Sequence, residues 1–192
     1  MFNEDNSYNK KFKDTEVIVS TVHDLCDLDV DVIVNAANAR LLPGAGVCGA
    51  IRKKAGESVF KECEDYLRKY HKEALKDGEV MITSGGHLKE KSIIHAVGPM
   101  WRGVQPEVDK KSLYDAYYNS LILADQNGFR SIAFPSISTG IYGFPVELAS
   151  KEAVKAIYDF ITNTNKISIK KIIIAVWPEN FQVYKNELNL KQ

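Results

Sequence analysis

The segment from Asp31 to Gly56, DVIVNAANARLLPGAGVCGAIRKKAG, constrains this chain more than any other stretch. An apolar run ends in two asparagines spaced three apart, Asn35 and Asn38, then passes into a glycine-rich turn that opens a helix. Backbone N–H groups at such a helix start point at whatever lies in front of them, and the arrangement suits a phosphate. The expected ligand is a nucleotide diphosphate.

Gly44, Gly46 and Gly49 also satisfy the G-x-G-x-x-G spacing of dinucleotide-binding units. In those units the first glycine follows the strand almost directly, and an acidic residue about 20 positions on holds a ribose. Here residues 35–43 intervene, and Glu64 and Asp65, near the expected acid, fall in a charged helical stretch. That reading is set aside. No G-x-x-x-x-G-K-[ST] is present, so a P-loop nucleoside triphosphatase lacks its lysine and hydroxyl.

A chain of 192 residues most simply makes one domain, 1–192, with enough core to need no disulfide or metal staple. Lys plus Arg and Asp plus Glu number 25 each, so no field of one sign gathers nucleic acid from a distance. Cys26, Cys48 and Cys63 make no C-x-x-C pair, and the scattered histidines suggest no zinc site. The first residues are polar and mixed in charge, and no apolar run approaches the roughly 18 to 20 residues that span a bilayer. A cytoplasmic, monomeric protein without a membrane segment, metal or cofactor is expected. Its ends, about 1–12 and 189–192, are expected to be frayed.

Short apolar runs alternate with helical patterns, as in a layered α/β domain. Strands are predicted over 16–21, 32–35, 79–83, 92–97, 131–135 and 171–176, and helices over 47–54, 58–71, 110–127, 146–162 and from about 180. The helix after Pro145 is the clearest, because Val146, Ala149, Ala153, Ile157 and Phe160 recur at steps of three and four.

Four motifs stand in order: NAAN at 35–38, GAGVCGAI at 44–51, IIHAVGPMW at 93–101 and SIAFPSISTGIYGFP at 131–145. Together they resemble the macrodomain family, and in particular its MacroD-type branch, over about residues 16–188. The resemblance implies a three-layer α/β/α fold with a mixed, about six-stranded sheet, and a cleft that binds ADP-ribose. It also implies action on ADP-ribosylated proteins, by removal of ADP-ribose from acidic side chains, or on O-acetyl-ADP-ribose.

Residue by residue, Gly44, Gly46, Val47, Cys48 and Gly49 match one phosphate turn, and Ser138, Thr139, Gly140, Ile141 and Tyr142 the other. Asp24, with Leu25 beside it, matches the aspartate that accepts from the adenine amino group, as an acceptor-only carboxylate suits a donor. The preceding residue is His23, where the family commonly has glycine. Trp177 is either an adenine-stacking ring or a core cap beside Pro178. Asn38 matches the asparagine that contacts the distal ribose and is the residue expected at the reaction centre. Asn35 is expected to tie neighbouring loops, and His95 to be a satisfied core histidine.

The pattern breaks ten residues after Asn38. MacroD-type hydrolases usually carry an aspartate there and many a histidine four residues later, whereas this chain has Cys48 and Arg52. A thiol, mostly protonated in water at neutral pH, is a poor substitute for a water-activating carboxylate. Three readings stay open: an ADP-ribosyl hydrolase, a reader that binds without chemistry, and an enzyme for O-acetyl-ADP-ribose or ADP-ribose 1″-phosphate.

Overall fold

Residues 6–22 and 24–192 are described in a computed structural model; His23 and residues 1–5 lie outside the described residues. Seven strands form one mixed sheet: β1 (Ser7–Phe12), β2 (Thr15–Thr21), β3 (Val32–Ala37), β4 (Val80–Ser84), β5 (Ser92–Val97), β6 (Ser131–Pro135) and β7 (Lys171–Val176). Their order is β1-β2-β7-β6-β3-β5-β4. The middle five run parallel, and β1 and β4 close the edges antiparallel.

The central strands β3, β6 and β7 carry apolar residues on both faces, which is what a sheet covered on both sides requires. In β3, Val32 and Val34 pack with Ile94, Phe134, Ile172 and Ile174 on one face. Ile33 turns the opposite way and joins Ile93, Ala133 and Ile173. The first face is covered by α3 (Pro106–Gln126), α4 (Val146–Asn163) and α5 (Phe181–Leu190). The second is covered by α1 (Gly46–Ala55) and α2 (Glu57–Lys69), through Ile51, Ala55, Val59 and Phe60.

Three expectations change. The sheet has seven strands because SYNKKF, expected to be frayed, pairs with β2 as an edge strand from Ser7↔Ser20 to Phe12↔Thr15. Only Phe12 of it is buried, so the period-two pattern that reveals most strands is faint. The C-terminal end is likewise held: α5 runs to Leu190, Tyr8 Oη donates to Asn189 Oδ1 at 3.0 Å, and Tyr158 Oη donates to the Gln192 carbonyl at 2.9 Å. Finally, α3 starts at Pro106 rather than at Lys110, with proline in its first turn and Glu107 and Asp109 suited to a helix start.

The expected stripe on α4 is buried from Ala149 to Phe160, whereas Val146 is only half-buried. Ser150, Val154, Ala156 and Ile161 are buried as well. The buried face is wider than a single stripe because α4 packs on α3 and α5 as well as on the sheet. No helix among the described residues is long and apolar enough to cross a membrane.

Candidate functional site

Parallel strands leave their connecting loops at one edge, and the crevice above the carboxyl ends is where open α/β sheets hold ligands. Here that edge carries a cleft of about 410 Å³. Val22 follows β2, Ala175, Val176 and Trp177 end β7, Pro135 and Ser136 end β6, Ala36, Ala37 and Asn38 end β3, and Gly98 follows β5. The cleft therefore crosses five strands, about 19 Å at the usual inter-strand spacing.

Its middle is built from backbone donors. The helix α1 begins at Gly46 behind Ala45, which has no side chain to cap it. The first helical hydrogen bond is Gly49 N–H to the Ala45 carbonyl, so the N–H groups of Gly46, Val47 and Cys48 have no helical acceptor. Gly49 is dictated by space, since a Cβ there would sit 2.8 Å from the Gly44 carbonyl oxygen.

The second turn, Ser136–Phe144, is held from below by the core. Tyr117 Oη donates to the Pro135 carbonyl and accepts from Ile137 N–H at 3.0 Å, and burial pushes the Tyr117 hydroxyl pKa well up. Phe144 N–H reaches the Ser138 carbonyl at 2.9 Å, which holds Ser138 in the left-handed region at φ 66°. Gly98 lies against this bend, where a Cβ would meet Ser138 Oγ at 2.3 Å. Among the described residues the N–H groups of Ser138, Gly140, Ile141 and Tyr142 have no partner.

At the β3–β5 end stand Asn38, Gly44, Cys48 and Tyr142. The Asn38 amide is engaged with its own loop: Nδ2 donates to the Leu42 carbonyl at 2.6 Å and Oδ1 accepts Leu42 N–H at 3.1 Å. Leu41, between them, is buried with φ 57°. The Tyr142 hydroxyl pKa is raised, by burial first and then by Asp77 and Cys48.

Cys48 Sγ, 5 % exposed, joins a chain of hydrogen bonds that begins inside the sheet and runs on to the Leu42 carbonyl at 3.9 Å. Thr83 Oγ1 donates to the Ser84 carbonyl at 3.0 Å and lies 3.0 Å from His95 Nε2. With that hydroxyl proton used, Nε2 carries the ring proton and Nδ1 accepts from Asn35 Nδ2 at 3.0 Å. Burial pushes His95 down to about 4, which keeps it neutral. The amide of Asn35 also lies 3.6 Å from Cys48 Sγ. Asn35 thus links β5 to α1, two elements of the layered core, whereas a tie between loops was expected.

All the residues expected from the sequence line the cleft except Asp24 and Gly49. Asp24 stands behind Leu25, where it caps a 3₁₀ turn, Leu25–Asp27. Arg52 turns away to pair with Glu57 at 2.7 Å. The sequence reading missed Val22, Ala36, Ala37, Ala45, Gly98, Pro135, Ser136, Ile137, Ala175 and Val176. Most of these close or follow parallel strands, and that position alone was the signal for them. Among the described residues the cleft lining holds no carboxylate, imidazole or ammonium.

Residues 34–153 match the Macro domain family. An uncharacterized protein of Thermoplasma volcanium is 47% identical over 150 residues, covering 78% of this chain and 80% of its own length. An Escherichia fergusonii protein named O-acetyl-ADP-ribose deacetylase is 48% identical over 139 residues, 72% of this chain and 77% of its own. Among solved structures, the Oceanobacillus iheyensis macrodomain with ADP superimposes with a TM-score of 0.90 at 33% identity, covering 97% of each chain. The cleft over the carboxyl ends of a mixed sheet, the two turns of backbone donors and these likenesses agree: the chain belongs to the Macro domain family.

Proposed function

We propose that the cleft binds ADP-ribose and that the protein hydrolyses esters on its distal ribose. The observation that carries this reading is the pair of unpartnered N–H clusters, at Gly46–Cys48 and at Ser138, Gly140, Ile141 and Tyr142, bordering one cleft whose described lining has no charged side chain. A diphosphate satisfies both clusters at once. The exposed Trp177 ring at the β2–β7 end supports one direction. The base lies over β2 and β7, between Leu25 and Trp177, and the distal ribose lies over β3 and β5, beside Asn38, Cys48 and Tyr142.

The ester substrates are ADP-ribose on acidic side chains and O-acetyl-ADP-ribose, the second supported by the name of the Escherichia fergusonii relative. A carboxylate leaving group needs little acid assistance, so positioning of the water and the ribose supplies much of the rate. Cys48 packs at the reaction centre and orders that space.

A second reading, a binder that does no chemistry, is favoured by the lack of any carboxylate in the lining among the described residues. Calorimetry with ADP-ribose, run beside a time course of release from a glutamate-ADP-ribosylated protein and from O-acetyl-ADP-ribose, separates them. Binding with release from either ester supports the hydrolase. Binding without release supports the binder, and no binding sinks both.

A further inference from the structure

Helix α1 borders the middle of the cleft with its first turn, and about 12 Å along its last turn carries Lys54 to the 3₁₀ turn that holds Leu25, outside the cleft lining. There Lys54 Nζ bridges two carboxylates, Asp24 Oδ2 at 3.0 Å and Asp27 Oδ1 at 2.6 Å. The other oxygen of Asp24, Oδ1, accepts Cys26 N–H at 2.9 Å. We propose that Lys54 sets the base selectivity of the cleft as a positioning residue: by clamping Asp24 against the 3₁₀ turn, it presents a fixed, acceptor-only carboxylate to the ligand's base. This rests on the ADP-ribose reading above, with the base at the β2–β7 end.

The geometry gives the clamp a job that an ordinary surface ion pair lacks. Asp24 is fixed at both oxygens yet its side chain is 24% exposed, and each oxygen keeps a lone pair for a further donor. Burial alone would raise its pKa, but the Cys26 N–H and Lys54 outweigh burial and leave it below the ordinary value. An ionised carboxylate accepts from the exocyclic amine of adenine and meets the carbonyl of hypoxanthine as acceptor against acceptor. A carboxyl free to rotate or take up a proton loses that discrimination.

The surroundings leave the clamp to Lys54. Lys89 is held elsewhere, its Nζ donating to the Asp27 carbonyl at 2.9 Å. Glu90 is buried nearby with neither carboxyl oxygen hydrogen-bonded, and burial raises its pKa, which favours its neutral form. Neither takes the place of the ammonium on Asp24.

The test is calorimetry with ADP-ribose and with its inosine counterpart, on the unmodified protein and on Lys54→Met, Lys54→Arg, Asp24→Asn and the Asp24→Asn/Lys54→Met pair. A charge effect on the diphosphate alters both ligands alike, so the ratio of the two affinities isolates the base. Lys54→Met is expected to shrink the adenine preference about three- to fivefold, and Lys54→Arg to restore it. Asp24→Asn abolishes the preference, and adding Lys54→Met to it changes nothing further. Unmodified protein that binds ADP-ribose but whose preference survives Lys54→Met overturns the proposal and leaves the ADP-ribose reading intact. Absence of ADP-ribose binding overturns both.

Discussion

Asn35 Nδ2 lies 3.0 Å from His95 Nδ1 and 3.6 Å from Cys48 Sγ, so one buried amide orients the Cys48 side chain from inside the sheet. The relationship predicts what an aspartate at position 48 would do. In Cys48→Asp the carboxylate would meet a ready amide donor in a cleft whose described lining has no other carboxylate. Ester release in single-turnover assays is expected to rise at least about tenfold. An unchanged rate would mean that the water is already held by other groups.

Gly49→Ala places a methyl 2.8 Å from the Gly44 carbonyl oxygen, backbone against backbone. The turn must shift, and with it the donors of α1. Stability is expected to fall by about 1 to 3 kcal/mol in urea titrations, with a loss of ADP-ribose affinity of about tenfold or more by calorimetry. Gly140→Ala serves as the comparison, since its Cβ would meet nothing within 4 Å and stability should not change.

His95 gives the fold a pH dependence of definite sign. Its folded value, about 4, lies below the ordinary 6.5, so the unfolded chain binds the proton more readily. The stability it contributes is complete above pH 6.5 and is lost as pH falls through 4, by about 3 kcal/mol in total. Denaturation curves across that window should fall more steeply for the unmodified protein than for His95→Gln. Glu90, with a raised pKa, acts in the opposite direction, but it is common to both proteins and cancels in the difference. Parallel curves would show that His95 does not titrate there.

Trp177 is 57% exposed at the base end of the cleft. Trp177→Ala should therefore weaken ADP-ribose binding by about 1 to 3 kcal/mol, the range for a stacked base, with no change in the unfolding midpoint. A lower midpoint with unaltered affinity would identify the ring as a cap on the core.

Much of the fold was legible because the inner strands are short apolar runs with clean ends. Ser92–Val97, Ser131–Pro135 and Lys171–Val176 have the same bounds in sequence and structure. β1 was not legible, since an edge strand with one buried residue carries almost no hydrophobic signal. The two turns of backbone donors were readable from glycine spacing, which is local. The links between elements were not. Asn35 meets His95 because β3 and β5 pair in parallel at that register, and Lys54 meets Asp24 because the last turn of α1 packs beside the Leu25–Asp27 turn. Both contacts join residues 30 or more apart in sequence and exist only once the sheet has formed.

Leu41 adopts φ 57° and is 4% exposed, packed with Ala37, Cys63, Leu75 and Met81. A bulky residue in that conformation is strained and stays there because its side chain is plugged into this small cluster. The cleft wall that carries Asn38 and Leu42 is thus moored to α2 and β4 through Cys63 and Met81, which lie outside the cleft lining. Loosening that mooring, by a void at Met81 or Cys63, would release the wall into several conformations and dilute the binding-competent one. Ligand affinity then becomes a gauge of packing in a layer the ligand never touches.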